Sequence, residues 1–545
     1  MPNRKRQTGA KAPAAEPLAK KAGSFLQRRS LPVAVALVAI ASLRIVATYT
    51  VFNHTSDEPA HVACGMEWLD KGTYTWEPQH PPLARVATAL GPYLSGIRSQ
   101  NTAKSVFLAM SREGAAILYK GHRYDRTLSL ARLGILPFFW MACAVVYWWG
   151  RRYYGPAVAL AAVFLFSFLP PVLAHAGLAT TDMALTAMLG AAFVLGMVWL
   201  ERPTLTHGAL FGAVSGLMVL SKFSSLAFFP ASVALALAWY LYRERPGWRP
   251  LAGAVKARIP SFALGVAVSV LVIWAGYRFS FGDAGFAHLR LPFPELYAGI
   301  REVQEHNAQG HDSFLLGSLN HSGFWCYYLV GLAVKTPLAF LVLLGAGVFL
   351  QWGRLRTPLA FAAGILLVGM STRINIGIRH ILPIYIGLSL AAAAGLVKLL
   401  EIGETRRRLG IILAVLLIWF AGSSLAAHPD YLPYFNELVM SDPENVLVDS
   451  DLDWGQDLKR LSARLRQGGA TDVSFDRYIV GDWEKEHGFP RIHTMNKYAP
   501  GVGWNAIGVS FWKESRLVLW PDKIKPQERV GKSILIWYFP PSAAQ

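Results

Sequence analysis

The chain has 545 residues, 53% hydrophobic and only 16% charged, with a mean hydropathy of +0.33. That balance excludes a soluble globular protein of this size and points to a chain that crosses a membrane many times. The formal charge of +19 invites a nucleic-acid reading, but the cations flank apolar runs, so no nucleic-acid partner is expected.

Residues 1–30 form a basic tail, with Arg4, Lys5, Arg6, Lys11, Lys20, Lys21, Arg28 and Arg29 against one acid, Glu16. The tail ends where the apolar run 31–51 begins, as a cytoplasmic flank does, and no small-residue cleavage site follows, so the run reads as a retained anchor. Further runs lie near 128–149, 156–176, 183–200, 207–221, 224–242, 259–279, 335–352, 357–371, 381–400 and 409–427. A span of about 30 Å of hydrocarbon needs ~20 residues, and 207–221 and 357–371 are short, so eleven spans is the count to within one. Arg and Lys in alternate connections put the N-terminus in the cytoplasm and the C-terminus outside.

The expected fold class is an all-α polytopic membrane protein of about eleven transmembrane helices, with a C-terminal mixed α/β extracytoplasmic domain. The membrane domain covers 31–427, with large outer loops at 52–127 and 280–324, and the outer domain covers 428–545. In the first loop "PPLARVATALGPYLSGI" repeats apolar residues at helical spacing and reads as a helix lying on the membrane surface. In the outer domain "NVLVD", "AIGVSF", "LVLW" and "ILIWYF" read as strands and "DWGQDLKRLSARLRQ" as an exposed helix. Of three cysteines, Cys64 and Cys326 both fall in outer loops and admit a disulfide, while no ligand spacing marks a metal site.

Polar residues that hydropathy does not explain gather at the outer face. Asp57 and Glu58 follow the first span in "VFNHTSDEPAH", with His61 beside them, and His80 lies in "EPQHPPLAR". Asp182 lies in "HAGLATTDMAL", Lys222 in "LSKFSS", Tyr277 and Arg278 close the seventh span, and Arg379 and His380 lie in "STRINIGIRHILPIY". Charges beside spans are costly and usually line a polar cavity. A carboxylate there can take a proton from an acceptor hydroxyl, while Lys and Arg hold a phosphate and stabilise it as it leaves. A lipid-phosphate sugar, its chain in the bilayer and its headgroup in the cavity, meets those demands.

The ordered set of an Asp-Glu pair, "HPPLAR", "TTDM" and "RHILPIY" resembles the GT-C glycosyltransferases, and within them family 39, which holds the protein O-mannosyltransferases and the lipid A aminoarabinose transferase. The passage "HPDYLPYFNELVMSDPENVLVDSDLDWGQDLKRL" resembles one common in bacterial members, and the likeness runs from about residue 50 to 465 with gaps. The resemblance implies a polyprenyl-phosphate sugar donor, inverting transfer to a protein, lipid or glycan acceptor, and a site on the noncytoplasmic face. It places the base on Asp57, with Glu58 as helper or structural partner, and a second acid on Asp182 that orients acceptor or base. It places donor-phosphate contacts on Arg379 and His380 and, less closely, Lys222; Arg278 is added from topology, and His61, His80 and Tyr277 are candidates for substrate contact. No metal or other cofactor is required on this reading, although lipid-diphosphate members of the GT-C group use a divalent ion. One departure is plain: 280–324 is too short for the MIR-type insert of the protein mannosyltransferases, which puts protein hydroxyls in doubt as acceptor. The Ala/Gly/Arg-rich, Lys-poor composition looks bacterial, which implies an inner or plasma membrane.

Plainer readings stand beside these. Asp57 and Glu58 also suit a helix N-terminus, Asp182 an N-cap, and His80-Pro81-Pro82 a rigid helix start. Lys222, Lys335 and Arg373 suit snorkelling, Arg379-His380 interfacial anchoring, and Arg44 a polar contact with another helix. Asn53 and Asn320 head sequons that matter only in a eukaryote. Acids alternate at Asp449, Asp451, Asp453 and Asp457, but a calcium loop needs Gly sixth and Glu twelfth, where Trp454 and Arg460 stand. That stretch reads instead as a helix cap packing the outer domain on the membrane part. The alternative function is a transporter or flippase of lipid-linked sugars, expected to show broken helices and repeat symmetry; the sequence shows neither.

Overall fold

The computed structural model describes residues 18–102, 107–285, 289–403, 406–439, 441–476 and 479–541. Arg4, Lys5, Arg6, Lys11 and Glu16 of the basic tail lie outside the described residues. All eleven apolar runs are helical. Among the described residues seven helices are long and apolar enough to cross a membrane: Arg29–Val46, Tyr124–Tyr153, Asp182–Glu201, Ser225–Glu244, Trp248–Gly276, Ile384–Gly403 and Arg407–Ala426. Leu205–Ser221 and Arg356–Ser371 are apolar but shorter.

The run 156–176 is broken, and the run 335–352 is joined at a sharp bend to a preceding helix outside it, which corrects the expectation of uninterrupted helices. Pro156–Ser167 and Pro170–Ala176 meet at 66°, and Tyr327–Lys335 and Leu338–Gln351 at 113°. Proline explains both, since Pro170 and Pro337 lack the N–H a continuing helix needs and their rings clash with the preceding turn. The groups freed at the second break are recovered. Asn436 Nδ2 donates to the Ala333 and Thr336 carbonyls at 2.6 and 2.7 Å, and Thr336 Oγ1 bonds Tyr385 OH at 2.9 Å. Buried backbone without water must find such partners.

The first outer loop folds into helices Glu58–Met66, Pro82–Leu94 and Phe107–Leu118. They pack closely: a Cβ on Gly114 would strike the Pro59 backbone, so only glycine fits there. The second outer loop holds two hairpins, β1 (Phe281–Asp283) with β2 (Arg290–Pro292) and β3 (Ser313–Leu315) with β4 (Ser318–Asn320), around the helix Pro294–Gln309.

Beyond 428 the chain builds a sheet of β5 (Asp472–Ser474), β6 (Arg491–His493), β7 (Gly503–Gly508), β8 (Glu528–Val530) and β9 (Ile534–Phe539), in the order β6-β5-β7-β9-β8. β5 is parallel to both neighbours, and β9 is antiparallel to β7 and β8. Ile534 and Ile536 pack under the Leu458–Gln467 helix, while Leu535 and Trp537 pack on the other face with Val518 and Trp520. Both faces are covered, which is why "ILIWYF" is continuously apolar rather than alternating. "AIGVSF" overlaps β7 and "ILIWYF" is β9, but "NVLVD" and "LVLW" are not strands. Leu447, Val448, Val518 and Trp520 are buried in irregular segments, where burial imitates a strand pattern. Cys64, Cys143 and Cys326 are all free, so the Cys64–Cys326 disulfide does not form.

Candidate functional site

Four segments distant in sequence bring two acids and two bases together. Asp57 precedes the Glu58–Met66 helix, and its carbonyl accepts the His61 N–H at 3.2 Å, while its carboxylate makes no capping bond. That carboxylate instead faces Arg379, Oδ2 to Nη2 3.4 Å, and its side chain stays 32% exposed. Asp182 opens the Asp182–Glu201 helix and Lys222 closes Leu205–Ser221, ends at which an acid and a cation respectively complement the helix dipole. Their Nζ–Oδ1 distance is 2.6 Å, and both are buried. Arg379 Nη1 lies 3.8 Å from Asp182 Oδ2. The guanidinium therefore stands between the two carboxylates, and snorkelling for Lys222, capping for Asp182 and interfacial anchoring for Arg379 are all displaced by pairing.

Arg379 is itself held by the acidic stretch of the C-terminal part. Its Nε donates to Ser450 Oγ at 2.9 Å, and its guanidinium carbon lies 4.1 Å from the centre of the Trp454 ring. Ser450 Oγ donates in turn to the Ile376 carbonyl, and the Ile378 N–H donates to Asp451 Oδ1 at 3.1 Å. Gly377 lies between them with φ +116°, and a Cβ there would collide with Ser450 Oγ, so glycine is required.

Glu58, next to Asp57, has a different place. It is fully buried, with Oε1 and Oε2 each 2.8 Å from Arg132 and also accepting the Ala179 and Thr55 N–H groups at 2.8 Å. These bonds hold its carboxyl below the usual range although burial alone raises it. These four donors occupy both carboxylate oxygens of Glu58.

A third cluster surrounds Arg85, which is buried and pairs with Glu77. It also donates to His61 Nδ1 at 3.1 Å and Tyr74 OH at 3.1 Å, and lies 3.3 Å from His80 Nδ1. Pro81 and Pro82 start the Pro82–Leu94 helix as a rigid lead-in, so His80 sits in this network while the prolines shape the backbone. The Tyr277 hydroxyl is buried without a partner, its ring edge-on to Tyr74 at 5.9 Å. Arg278 is exposed over Trp68 at 4.8 Å and is not brought to Asp57 or Asp182.

Burial, with Lys222 adding, pulls the His80 imidazole down to about 4. Burial first, then Arg85, lowers His61, and burial first, then Lys222, lowers His380, both well below the usual value. Burial thus disfavours the charged form of all three rings, whereas Lys222 and Arg379 are each paired with a carboxylate.

Two carboxylates of the C-terminal part face the same region. Burial pushes Asp449 up to about 7, with Arg379 opposing and Asp57 adding, and burial with Asp449 pushes Glu514 up to about 9. Neither was singled out as a titrating group in the sequence, where Asp449 read as part of a cap and Glu514 drew no notice. Lys335 does not snorkel: it is buried and donates to the Leu432 and Asp451 carbonyls at 2.8 and 2.5 Å. Arg373 is exposed, and Arg44 donates to Ser424 on another helix at 2.5 Å, as expected. Asn53 is buried, with Nδ2 donating to the Gly455 carbonyl at 2.6 Å, so that sequon is no acceptor site in the folded chain. Among the described residues no three His, Cys, Asp or Glu side chains are placed to hold a metal.

No family model and no curated protein matches the chain. Among solved structures, it is similar to ArnT from Cupriavidus metallidurans bound to undecaprenyl phosphate, with 13% identity, TM-score 0.49, and coverage of 92% of this chain and 97% of that one. It is also similar to the Archaeoglobus fulgidus oligosaccharyltransferase tethered with an acceptor peptide, with 12% identity, TM-score 0.49, and coverage of 90% and 70%. The archaeal oligosaccharyltransferase AglB with an inhibitory peptide and dolichol-phosphate gives 13% identity and TM-score 0.41, with the same coverage.

Proposed function

We propose that this protein is a membrane glycosyltransferase that moves a sugar from a polyprenyl-phosphate donor to an acceptor outside the cytoplasm, with inversion at the anomeric carbon. The observation that carries the reading is Arg379 lying between Asp57 and Asp182, with Lys222 paired to Asp182. Asp57 is the open carboxylate of this group and serves as base, accepting the acceptor's hydroxyl proton. As that proton leaves, the acceptor oxygen bonds the anomeric carbon from the face opposite the phosphate. The sugar–oxygen bond breaks, and its electron pair departs on the lipid phosphate. Arg379 and Lys222 neutralise that anion in a buried setting, where such contacts outweigh the same contacts in water. Asp182 keeps both cations in place until the phosphate arrives. His61, His80 and Tyr277 supply neutral polar contacts on the adjoining wall. The chemistry uses residues of the chain alone and needs no cofactor. On this reading the site faces the extracytoplasmic side of an inner or plasma membrane, and the N-terminus lies in the cytoplasm.

The two broken apolar helices are features that transporters share, so a flippase of the same lipid-linked sugars is the second reading. One assay separates them. Purified protein in detergent is given radiolabelled polyprenyl-phosphate sugars with envelope fractions as acceptor, wild type beside Asp57→Asn. Label that moves to acceptor with wild type and not with the variant supports transfer. Binding of donor with no transfer by wild type, together with movement of donor between leaflets of reconstituted vesicles, supports the flippase instead.

A further inference from the structure

We infer that Trp454 and Ser450, in the acidic loop of the C-terminal part, are positioning residues that hold Arg379 in the geometry that receives the donor phosphate. The inference rests on the glycosyltransferase reading and deepens it, because it makes this loop a wall of the site rather than a cap.

The loop touches both carriers of the central pair. On one side, Ser450 Oγ accepts from Arg379 Nε at 2.9 Å, and Asp451 Oδ1 accepts the Ile378 N–H at 3.1 Å. On the other, the Trp454 carbonyl accepts the Ser56 N–H at 3.1 Å and the Gln456 carbonyl accepts the Asn53 N–H at 3.2 Å, immediately before Asp57. Asn53 Nδ2 returns a bond to the Gly455 carbonyl at 2.6 Å. Between these two attachments the buried Trp454 indole lies against the guanidinium at 4.1 Å, with the His175 ring edge-on behind it at 6.4 Å.

Arg379 sits near two carboxylates at 3.4 and 3.8 Å, both longer than a charge-assisted bond. Unsupported, a guanidinium would close on one acid and present the wrong edge to a phosphate. The ring face fixes its plane and Ser450 fixes its rotation about that plane, leaving Nη2 on the side of Asp57 and Nη1 on the side of Asp182. A planar fork held this way matches a phosphate's two-pronged acceptor geometry. Asp451 is held in turn by Lys335 through its carbonyl and by Tyr327 OH at 3.3 Å, so the loop is anchored in the membrane part and does not depend on the sheet alone.

The test is a double-mutant cycle on binding, read with undecaprenyl phosphate in detergent by calorimetry. Wild type, Trp454→Ala, Trp454→Phe, Arg379→Ala and Trp454→Ala/Arg379→Ala are compared, each checked by its thermal transition. Trp454→Ala is expected to weaken binding by about threefold to thirtyfold, the span of a partly to fully desolvated cation–π contact. Trp454→Phe, which keeps a ring face, is expected to recover most of that loss. In the Arg379→Ala background, Trp454→Ala is expected to change binding by less than about twofold, because the partner it acts through is gone. Additive losses in the cycle, or equal losses in the Phe and Ala variants, overturn the inference and leave Trp454 a packing residue. Failure of wild type to bind the lipid phosphate is a separate result that overturns the glycosyltransferase reading and this inference with it.

Discussion

Asp57 and Glu58 are consecutive carboxylates with opposite surroundings, and the contrast separates an acid locked into the fold from one left open. Glu58 is sealed by a two-pronged arginine and two backbone N–H groups at 2.8 Å, with no exposure. Asp57 has one contact at 3.4 Å and keeps a third of its side chain open. The chain buries Glu58 in the loop core and leaves Asp57 partly exposed beside Arg379. A carboxylate satisfied four times has no capacity left for a substrate proton; one held loosely by a single cation has.

The largest effect that sharpens this contrast belongs to Asp57→Asn. Loss of a general base should lower transfer by about a hundredfold to ten-thousandfold, with the thermal transition in detergent unchanged. Its neighbour should behave the other way. Arg132→Met leaves Glu58 buried without its cation and should cost about 3–5 kcal/mol of stability, read as a lowered unfolding transition; Glu58→Gln added to it should restore part of the loss. Lys222→Met removes one charge-assisted contact to the phosphate, a loss of about tenfold to a hundredfold in kcat/KM, measured in the same transfer assay.

A smaller effect is pH-dependent. Asp449 and Glu514 have folded values pushed up to about 7 and about 9, above those of an unfolded chain, so the folded state holds more protons than the unfolded one. Their contribution is present in full at low pH and is lost as pH rises through about 7 and about 9. The thermal transition should therefore fall between pH 6 and 9, and Glu514→Gln should flatten that slope. Smallest of all is Arg278→Ala. With its guanidinium exposed over Trp68 and away from the acids, transfer should stay within about twofold, as for most surface substitutions.

How far the sequence carried these results depended on the kind of signal. Apolar runs located the long helices of the membrane part, because a twenty-residue apolar stretch has few other solutions, but not Tyr327–Lys335, which lies before the run 335–352. The breaks at Pro170 and Pro337 were visible as prolines but hidden within unbroken hydrophobicity. Asp57, Asp182, Lys222 and Arg379 stood out because charge beside a span is costly. Their neighbours did not: Trp454 is one of 18 tryptophans, and nothing local announces that it lies under an arginine 75 residues earlier. The segments "NVLVD" and "LVLW" read as strands and are not, because burial of irregular chain, Leu447 in the membrane core and Val518 and Trp520 on the outer sheet, gives the same apolar spacing as a ladder. The settings of Glu58 and His380 were not legible for a related reason. Their protonation and freedom depend on Arg132 and Lys222, partners fixed by tertiary contact alone.

The same long-range contact sets an order of events during synthesis. Asp57 and Arg379 emerge from the ribosome well before the loop that spaces them, and that loop is secured later still. Ser510 donates its N–H to Asp453 Oδ2 at 3.2 Å and its hydroxyl to the Asp453 carbonyl at 2.7 Å, and it accepts the Asp449 N–H at 2.7 Å. A nascent chain can thus insert the helices that carry Asp57 and Arg379 before Ser510 is translated. A chain halted between residues 457 and 510 would hold both residues in the membrane without the bonds that fix the loop spacing them.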